Sequence, residues 1–408
     1  MTNRPNHAAT LVVATLVVTA SPGLPATYAE YRDAIGYTEL VQALGPGTPT
    51  GSGIGVTQVE TLNDEGHYFP NPSDPELSGM LLTDVTGTST GYSGHATVVG
   101  RHLYGSDTST APGITEADAY WATDWLLSGF LKTGNSFSGA PLTESRDIQN
   151  HSWASPTHAL ATNASRRLDY AIRRDGFTAA VGLNNGSDTS VPHLMAHSYN
   201  AISVGLTNAE HSRGTTLFDD AGRVKPDLVV PLSATSWATP VVSAAAALLI
   251  ETARGTPAWA PAEQPEAVKA LLMAGATKDE FTHWDRFPDR PLDDVFGAGE
   301  LNVFNSYLIL TNGPQSEGAL AAPSGWAART QEPGTAIRFF FEVPPGHLAA
   351  ELSAMLVWNR HIVDGEPRPN RWDPVPELPD MTLTLRAAEG FVPGAVVDLS
   401  TGAVDNVE

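Results

Sequence analysis

The sequence contains no cysteine. That absence excludes a disulfide scaffold, a thiol nucleophile and thiolate metal sites. It leaves export open, because a chain of 408 residues buries enough surface to fold without such staples. Basic residues are scarce. Lys and Arg number 23 against 45 Asp and Glu, for a formal charge of −22 and a pI near 4.8. A surface of that sign repels phosphate, so nucleic acid is not an expected partner. The acidic residues are dispersed rather than run together, which reads as a solvated surface. Long apolar runs are also few. One, Ala8 to Ala20, follows Arg4, is too short to span a bilayer and is followed by small residues. It reads as a secretory signal within residues 1–29, with cleavage expected after Ala20 or Ala29 and an uncleaved anchor as the alternative. The expectation is a secreted protein, extracellular or periplasmic, with no stable membrane association once the signal is removed.

What is present is a core. Apolar residues make up 41% of the chain, enough to place it among globular proteins rather than disordered ones. From 30 to 312, short β-like runs alternate with helical patterns. Candidate strands are 53–60, 147–152, 178–182, 201–205 and 227–231. Candidate helices are 30–43, 95–100, 116–130, 161–175, 240–253 and 264–274. This alternation predicts an α/β domain, a mostly parallel sheet with helices on both faces. Residues 313–335 are rich in Gly, Pro, Ala and Ser and read as a linker. Beyond them, 336–343, 351–358 and 381–386 carry β-formers around a Pro-rich loop at 364–379. They predict a smaller all-β, sandwich-like module at 336–408. No closing strand is legible at its end, which predicts an incomplete module with an open sheet edge.

The chemistry-bearing words lie in the first domain. Ala234-Thr-Ser-Trp-Ala-Thr-Pro240 follows the strand-like Lys225-Pro-Asp-Leu-Val-Val-Pro231 and opens an Ala-rich apolar run. A serine there sits at a positive helix end, where backbone N–H groups can hold a developing oxyanion. Pro240 is expected in the first helical turn, where its missing N–H costs little. The bland alternative is an ordinary helix start with capping chemistry. Upstream, Gly94-His-Ala-Thr-Val-Val-Gly100 places His95 among small residues, and a histidine can take and return a proton near neutrality. The run Ala179-Ala-Val-Gly-Leu-Asn-Asn-Gly186 ends a strand in a good turn sequence.

Together these words resemble the subtilases, the subtilisin-like serine peptidases, over roughly residues 53 to 302. Ala234 stands where that family usually has glycine, and Trp237 where it has methionine. The resemblance implies a triad of Ser236 as nucleophile, His95 as general base and an acid ending the strand that includes Gly53-Ile-Gly-Val-Thr-Gln-Val-Glu60. That acid is Glu60 rather than the usual aspartate, with Asp64 and Asp84 as alternatives. It implies an oxyanion-stabilising asparagine at Asn184, or at Asn185 if the register is shifted. Gln149-Asn-His-Ser-Trp153 resembles the substrate-binding strand edge, giving Ser152 and Trp153 that role. Ser198-Tyr-Asn-Ala-Ile-Ser-Val-Gly205 and Gly297-Ala-Gly-Glu-Leu-Asn302 resemble supporting segments. The implied activity is hydrolysis of polypeptides with no cofactor, with structural calcium as a family trait; no metal-ligand spacing is legible among the histidines. A non-catalytic binding protein on the same fold is the alternative, motivated by the irregular acid word and the altered segment after Ser152.

Overall fold

Strands buried on both faces need helices above and below them, and the strand residues here sort accordingly. The computed structural model describes residues 7–14, 28–134, 139–155, 160–187, 194–219, 221–343, 351–365 and 372–408. The chain opens with strand β1 (His7–Ala14) and helices α1 (Tyr28–Ala34) and α2 (Tyr37–Leu44). The main body follows as β2 (Gly55–Glu60), β3 (Leu81–Asp84), α3 (Gly94–Tyr104), β4 (Glu116–Trp121), α4 (Ala122–Leu127), β5 (Ile148–His151) and α5 (Ala161–Asp175). It continues with β6 (Thr178–Gly182), β7 (Ile202–Leu206), the short pair β8 (Gly214–Thr215) and β9 (Val224–Lys225), and β10 (Leu228–Val230). Helices α6 (Thr235–Arg254), α7 (Pro265–Gly275) and α8 (Val303–Thr311) complete it.

Seven strands form one sheet in the order β10-β7-β6-β5-β2-β4-β3, with every pairing parallel. Alternate residues feed two cores. Val56 and Ala180 pack with α6 and α7, whereas Val59, Ala179 and Val181 pack with Trp125, Leu168 and Ile172 from α4 and α5. The expected α/β sheet covered on both faces is therefore present. Among the described residues, α6 is long and apolar enough to cross a membrane, yet 78% of its apolar window is buried in the fold. It is a core helix, apolar all round because it is covered all round. Its close approach needs Gly182, where a Cβ would lie 2.9 Å from Thr239 Oγ1.

Two elements differ from expectation within this domain. The stretch 116–130 is not one helix but strand β4 followed by α4. Its alanines favour helix in isolation, but Ala117 and Ala119 alternate with more exposed neighbours and pair with both β2 and β3, so tertiary pairing overrides propensity. Helix α6 begins at Thr235, so Pro240 lies beyond the first turn rather than within it.

The C-terminal region adds small antiparallel sheets: β11 (Gly325–Gln331) and β12 (Ser353–Trp358), hairpin β13 (His361–Asp364) with β14 (Pro374–Glu377), and hairpin β15 (Leu383–Glu389) with β16 (Val392–Ser400). The stretch 313–335 holds β11, with Trp326 buried and its indole N–H donating to the Leu310 carbonyl at 3.1 Å. Strand β1 lies between β11 and β12, antiparallel to both. Part of the expected signal is thus the middle strand of a sheet; the Ala20 cleavage position lies outside the described residues. The final residues pair with β12 as well: Leu356 N donates to the Glu408 carbonyl at 2.7 Å and Trp358 N to that of Asn406 at 3.1 Å. Buried Arg360 bolts this region to the main domain, its guanidinium 2.6 Å from Asp169 and 2.5 Å from Asp219. A wide cavity of about 1490 Å³ opens between β12 and the β15–β16 hairpin; none of the site residues discussed below lines it.

Candidate active site

The predicted residues converge at the carboxyl ends of β2, β5 and β6 and at the first turns of α3 and α6. In parallel α/β sheets this is the edge where ligands bind. Glu60 is the last residue of β2 and is buried, with 1% of its side chain exposed. His95 is the second residue of α3, a helix capped by Ser93, whose side chain accepts the Ala96 N–H. Glu60 Oε2 lies 2.9 Å from His95 Nδ1. With a carboxylate as its partner, Nδ1 carries the proton and Nε2 is left as the acceptor. The imidazole is partly exposed, at 38%. Burial pulls its pKa down, but the hydrogen bond and charge of Glu60 outweigh this and hold it above the ordinary 6.5. The alternative acids serve elsewhere: Asp64 is exposed in the following loop, and Asp84 binds the Tyr68 hydroxyl and the Gly87 and Ser89 N–H groups.

Ser236 is the second residue of α6, so its N–H is one that intrahelical bonding cannot use. Its carbonyl is free for a different reason. The bond it would accept from four residues ahead is missing because Pro240 has no N–H. Ser152 fills the vacancy, its hydroxyl donating to the Ser236 carbonyl at 3.0 Å. Ser152 is itself held by Asn150 Nδ2 at 3.0 Å, and Asn150 by the Ser243 hydroxyl at 3.0 Å. The Ser236 hydroxyl rests 3.5 Å from the Ser152 carbonyl, the outer limit of a hydrogen bond, and makes none to His95. Trp237 joins the two sides: its ring centroid is 5.1 Å from that of His95, and it stacks at 14° on buried His102, 6.0 Å away.

The two adjacent asparagines after β6 are held differently. Asn184 makes main-chain bonds, its N–H to Ser212 Oγ at 3.1 Å and its carbonyl to Ser212 N–H at 2.8 Å. The side-chain amide that reaches the nucleophile turn belongs to Asn185, whose Oδ1 accepts from Thr235 N–H at 2.9 Å and from the Thr235 hydroxyl at 3.2 Å. With its oxygen so engaged, the Asn185 amide has its NH₂ as the remaining donor. Trp153 Nε1 donates to His151 Nδ1 at 3.3 Å and the ring meets Trp125 edge-on. His151 is fully buried, and burial pushes its pKa down to about 3. Residues 152–155 run past the end of β5 without strand pairing. Behind the site lie buried Gln58, Tyr104 and Asn150, of which only Asn150 belongs to a word with an expected role, the strand edge at 149–153. For Gln58 and Asn150 the one signal is polarity inside strands that a parallel sheet buries on both faces; Tyr104, the last residue of α3, carries no such signal.

Among the described residues, no three His, Asp or Glu side chains gather as a metal site. Residues 79–299 match the profile of the Subtilase family, peptidase S8. That span includes His95, Asn184, Asn185 and Ser236 but begins after Glu60. No curated protein matches the chain. One similar solved structure is the protease domain of PatA, in a serine-to-alanine mutant. It is 19% identical, with a TM-score of 0.40, over 65% of this chain and 97% of that one.

Proposed function

The chain belongs to the subtilase family and is by that membership a serine-type peptidase; we propose that it is an endopeptidase working through Ser236, His95 and Glu60. Ser236 Oγ attacks the scissile carbonyl carbon while His95 Nε2 takes its proton. Glu60 keeps Nδ1 protonated, orients the ring and stabilises the imidazolium that forms. The tetrahedral oxyanion is held by the Ser236 N–H and by the side-chain NH₂ of Asn185, with Asn184 as the alternative. The imidazolium then gives its proton to the leaving amine, and water repeats the cycle on the acyl-enzyme. No cofactor is needed. An extended polypeptide pairs with the unpaired backbone at Ser152 and Trp153.

The observation that carries this reading is the 2.9 Å contact between buried Glu60 and His95, beside the turn that presents Ser236. A turn of the Ser236 side chain from the Ser152 carbonyl towards Nε2 would complete the relay, and catalytic hydrogen bonds are often long until substrate is in place. One observation favours a second reading, a binding protein on the peptidase fold: the serine hydroxyl is directed at Ser152 and not at His95. A fluorophosphonate probe separates the two. Labelling that disappears in Ser236→Ala supports the peptidase; folded wild-type protein that never labels supports the binding protein.

We also propose export through the N-terminal segment. Removing that leader takes β1 out from between β11 and β12. N-terminal sequencing of protein recovered outside the cytoplasm tests this. A mature terminus at residue 21 or 30 supports a cleaved signal, and a terminus retaining residues 7–14 supports a permanent strand.

A further inference from the structure

We propose that Gln58 is a positioning residue for the Glu60–His95 pair, fixing an acid that is one methylene longer than an aspartate; this rests on the peptidase reading above. Gln58 precedes Glu60 by two residues on β2, so both side chains leave the same face of the sheet. It is 0% exposed. Its Nε2 donates to Glu60 Oε1 at 2.9 Å and to the Ala96 carbonyl at 2.8 Å. Its Oε1 accepts from the Tyr104 hydroxyl at 2.5 Å. The groups facing Nε2 accept only, so the amide has one workable orientation.

The result is a two-point grip on the acid. One carboxylate oxygen faces Gln58 and the other faces His95. A glutamate held only by the histidine could turn about its extra bond, and a small misplacement of a catalytic group is costly in rate. Gln58 removes that freedom and also ties β2 to the first turn of α3, because Ala96 directly follows the base. Tyr104, buried on the same helix, anchors the far end. Its hydroxyl reaches Gln58 over Gly100, where a Cβ would lie 2.7 Å from it. Burial, with the charge of Glu60 adding to it, pushes the Tyr104 phenol far above its ordinary 10, so it stays a donor.

The test uses the full chain with Gln58→Met, which keeps length and bulk and removes both donated bonds. The expected loss in kcat is roughly ten- to a hundredfold, the size of a hydrogen bond to a charged group, with KM nearly unchanged. The NMR titration midpoint of His95 should fall towards that of Glu60→Gln. Tyr104→Phe leaves Gln58 on Glu60 and should lose only about two- to fivefold. Asn305→Ala is the stability control, since Asn305 donates to the Gly275 carbonyl at 3.1 Å in the interior; it should lower Tm and leave kcat and the midpoint alone. A Gln58→Met protein that loses Tm but keeps both kcat and the His95 midpoint overturns the proposal. Should Gln58→Met not fold, an unchanged kcat and midpoint in Tyr104→Phe overturn it instead. If the wild type neither labels with fluorophosphonate nor cleaves peptide, it is the peptidase reading that fails, and the midpoint still decides whether Gln58 positions the pair.

Discussion

On the nucleophile side of the site the ties run to main-chain atoms. The Ser152 hydroxyl holds the Ser236 carbonyl, Asn185 holds the Thr235 N–H, and the Thr235 hydroxyl holds the Leu183 carbonyl at 2.5 Å. On the acid side they run mostly between side chains, from Tyr104 through Gln58 and Glu60 to His95. Main-chain ties set a turn whatever rotamers its residues choose. Side-chain ties set rotamers, and each link depends on the next. On the proposed mechanism, a nucleophile fixed by the backbone faces an acid that needs company because it is long.

The largest break comes from removing the reacting groups. Ser236→Ala or His95→Ala should each cut kcat on the order of 10⁶-fold, as in subtilisin itself, with the double variant little worse than either. Fluorogenic peptide hydrolysis measures this, and clear additivity would show that the two do not act as a unit.

Next comes Glu60→Gln, which keeps the shape of the acid but no longer enforces the Nδ1–H tautomer. It should cost about 10³–10⁴-fold. In the wild type the rate rises with pH as His95 loses its proton, at a midpoint above 6.5. In Glu60→Gln the downward pull of burial remains alone, so that limb moves to lower pH. Stability follows the same contact. A raised histidine pKa stabilises the fold fully below its unfolded value near 6.5, and that contribution is lost as pH rises through the folded midpoint. Melting curves at pH 5 and 8 should show the pH-dependent difference shrink in Glu60→Gln.

On the nucleophile side, Asn185→Ala should lower kcat about 10²–10³-fold, a range taken from subtilisin, and Asn184→Ala far less. The reverse order would restore the register counted back from Gly186. The smallest effect is expected from Ser152→Ala. It leaves the Ser236 carbonyl unpartnered, because Pro240 cannot donate to it, and should cost about 1–3 kcal/mol of stability, read as a lower Tm with modest change in kcat.

What the sequence made legible follows the same division. Ser236 and His95 sit in words whose small residues and helix starts are local, and both stand in the first turns of their helices. Helix α6 was misjudged at its start, because Pro240 reads as a helix opener while its physical role is to free a carbonyl one turn back. Asn184 and Asn185 are not separable by sequence because Asn184-Asn-Gly offers two equivalent amides, and the contact of Asn185 with the Thr235 N–H is long-range. Gln58 left a fainter mark, a polar side chain in a strand with no solvent face. Its partners Ala96 and Tyr104 come from another element, so no local pattern could supply them. The stretch 313–335 looked like a linker for its Gly and Pro content, yet Trp326 draws it onto α8. That contact is long-range and absent from composition.

Trp237 stands between His95 and His102. A protonated imidazole at that range quenches indole emission, whereas a neutral one does so weakly. The chain has nine tryptophans, so the wild-type spectrum minus that of Trp237→Phe isolates this ring. On the proposed mechanism the molecule therefore carries an optical gauge of its base, readable in a cuvette before any peptide is added.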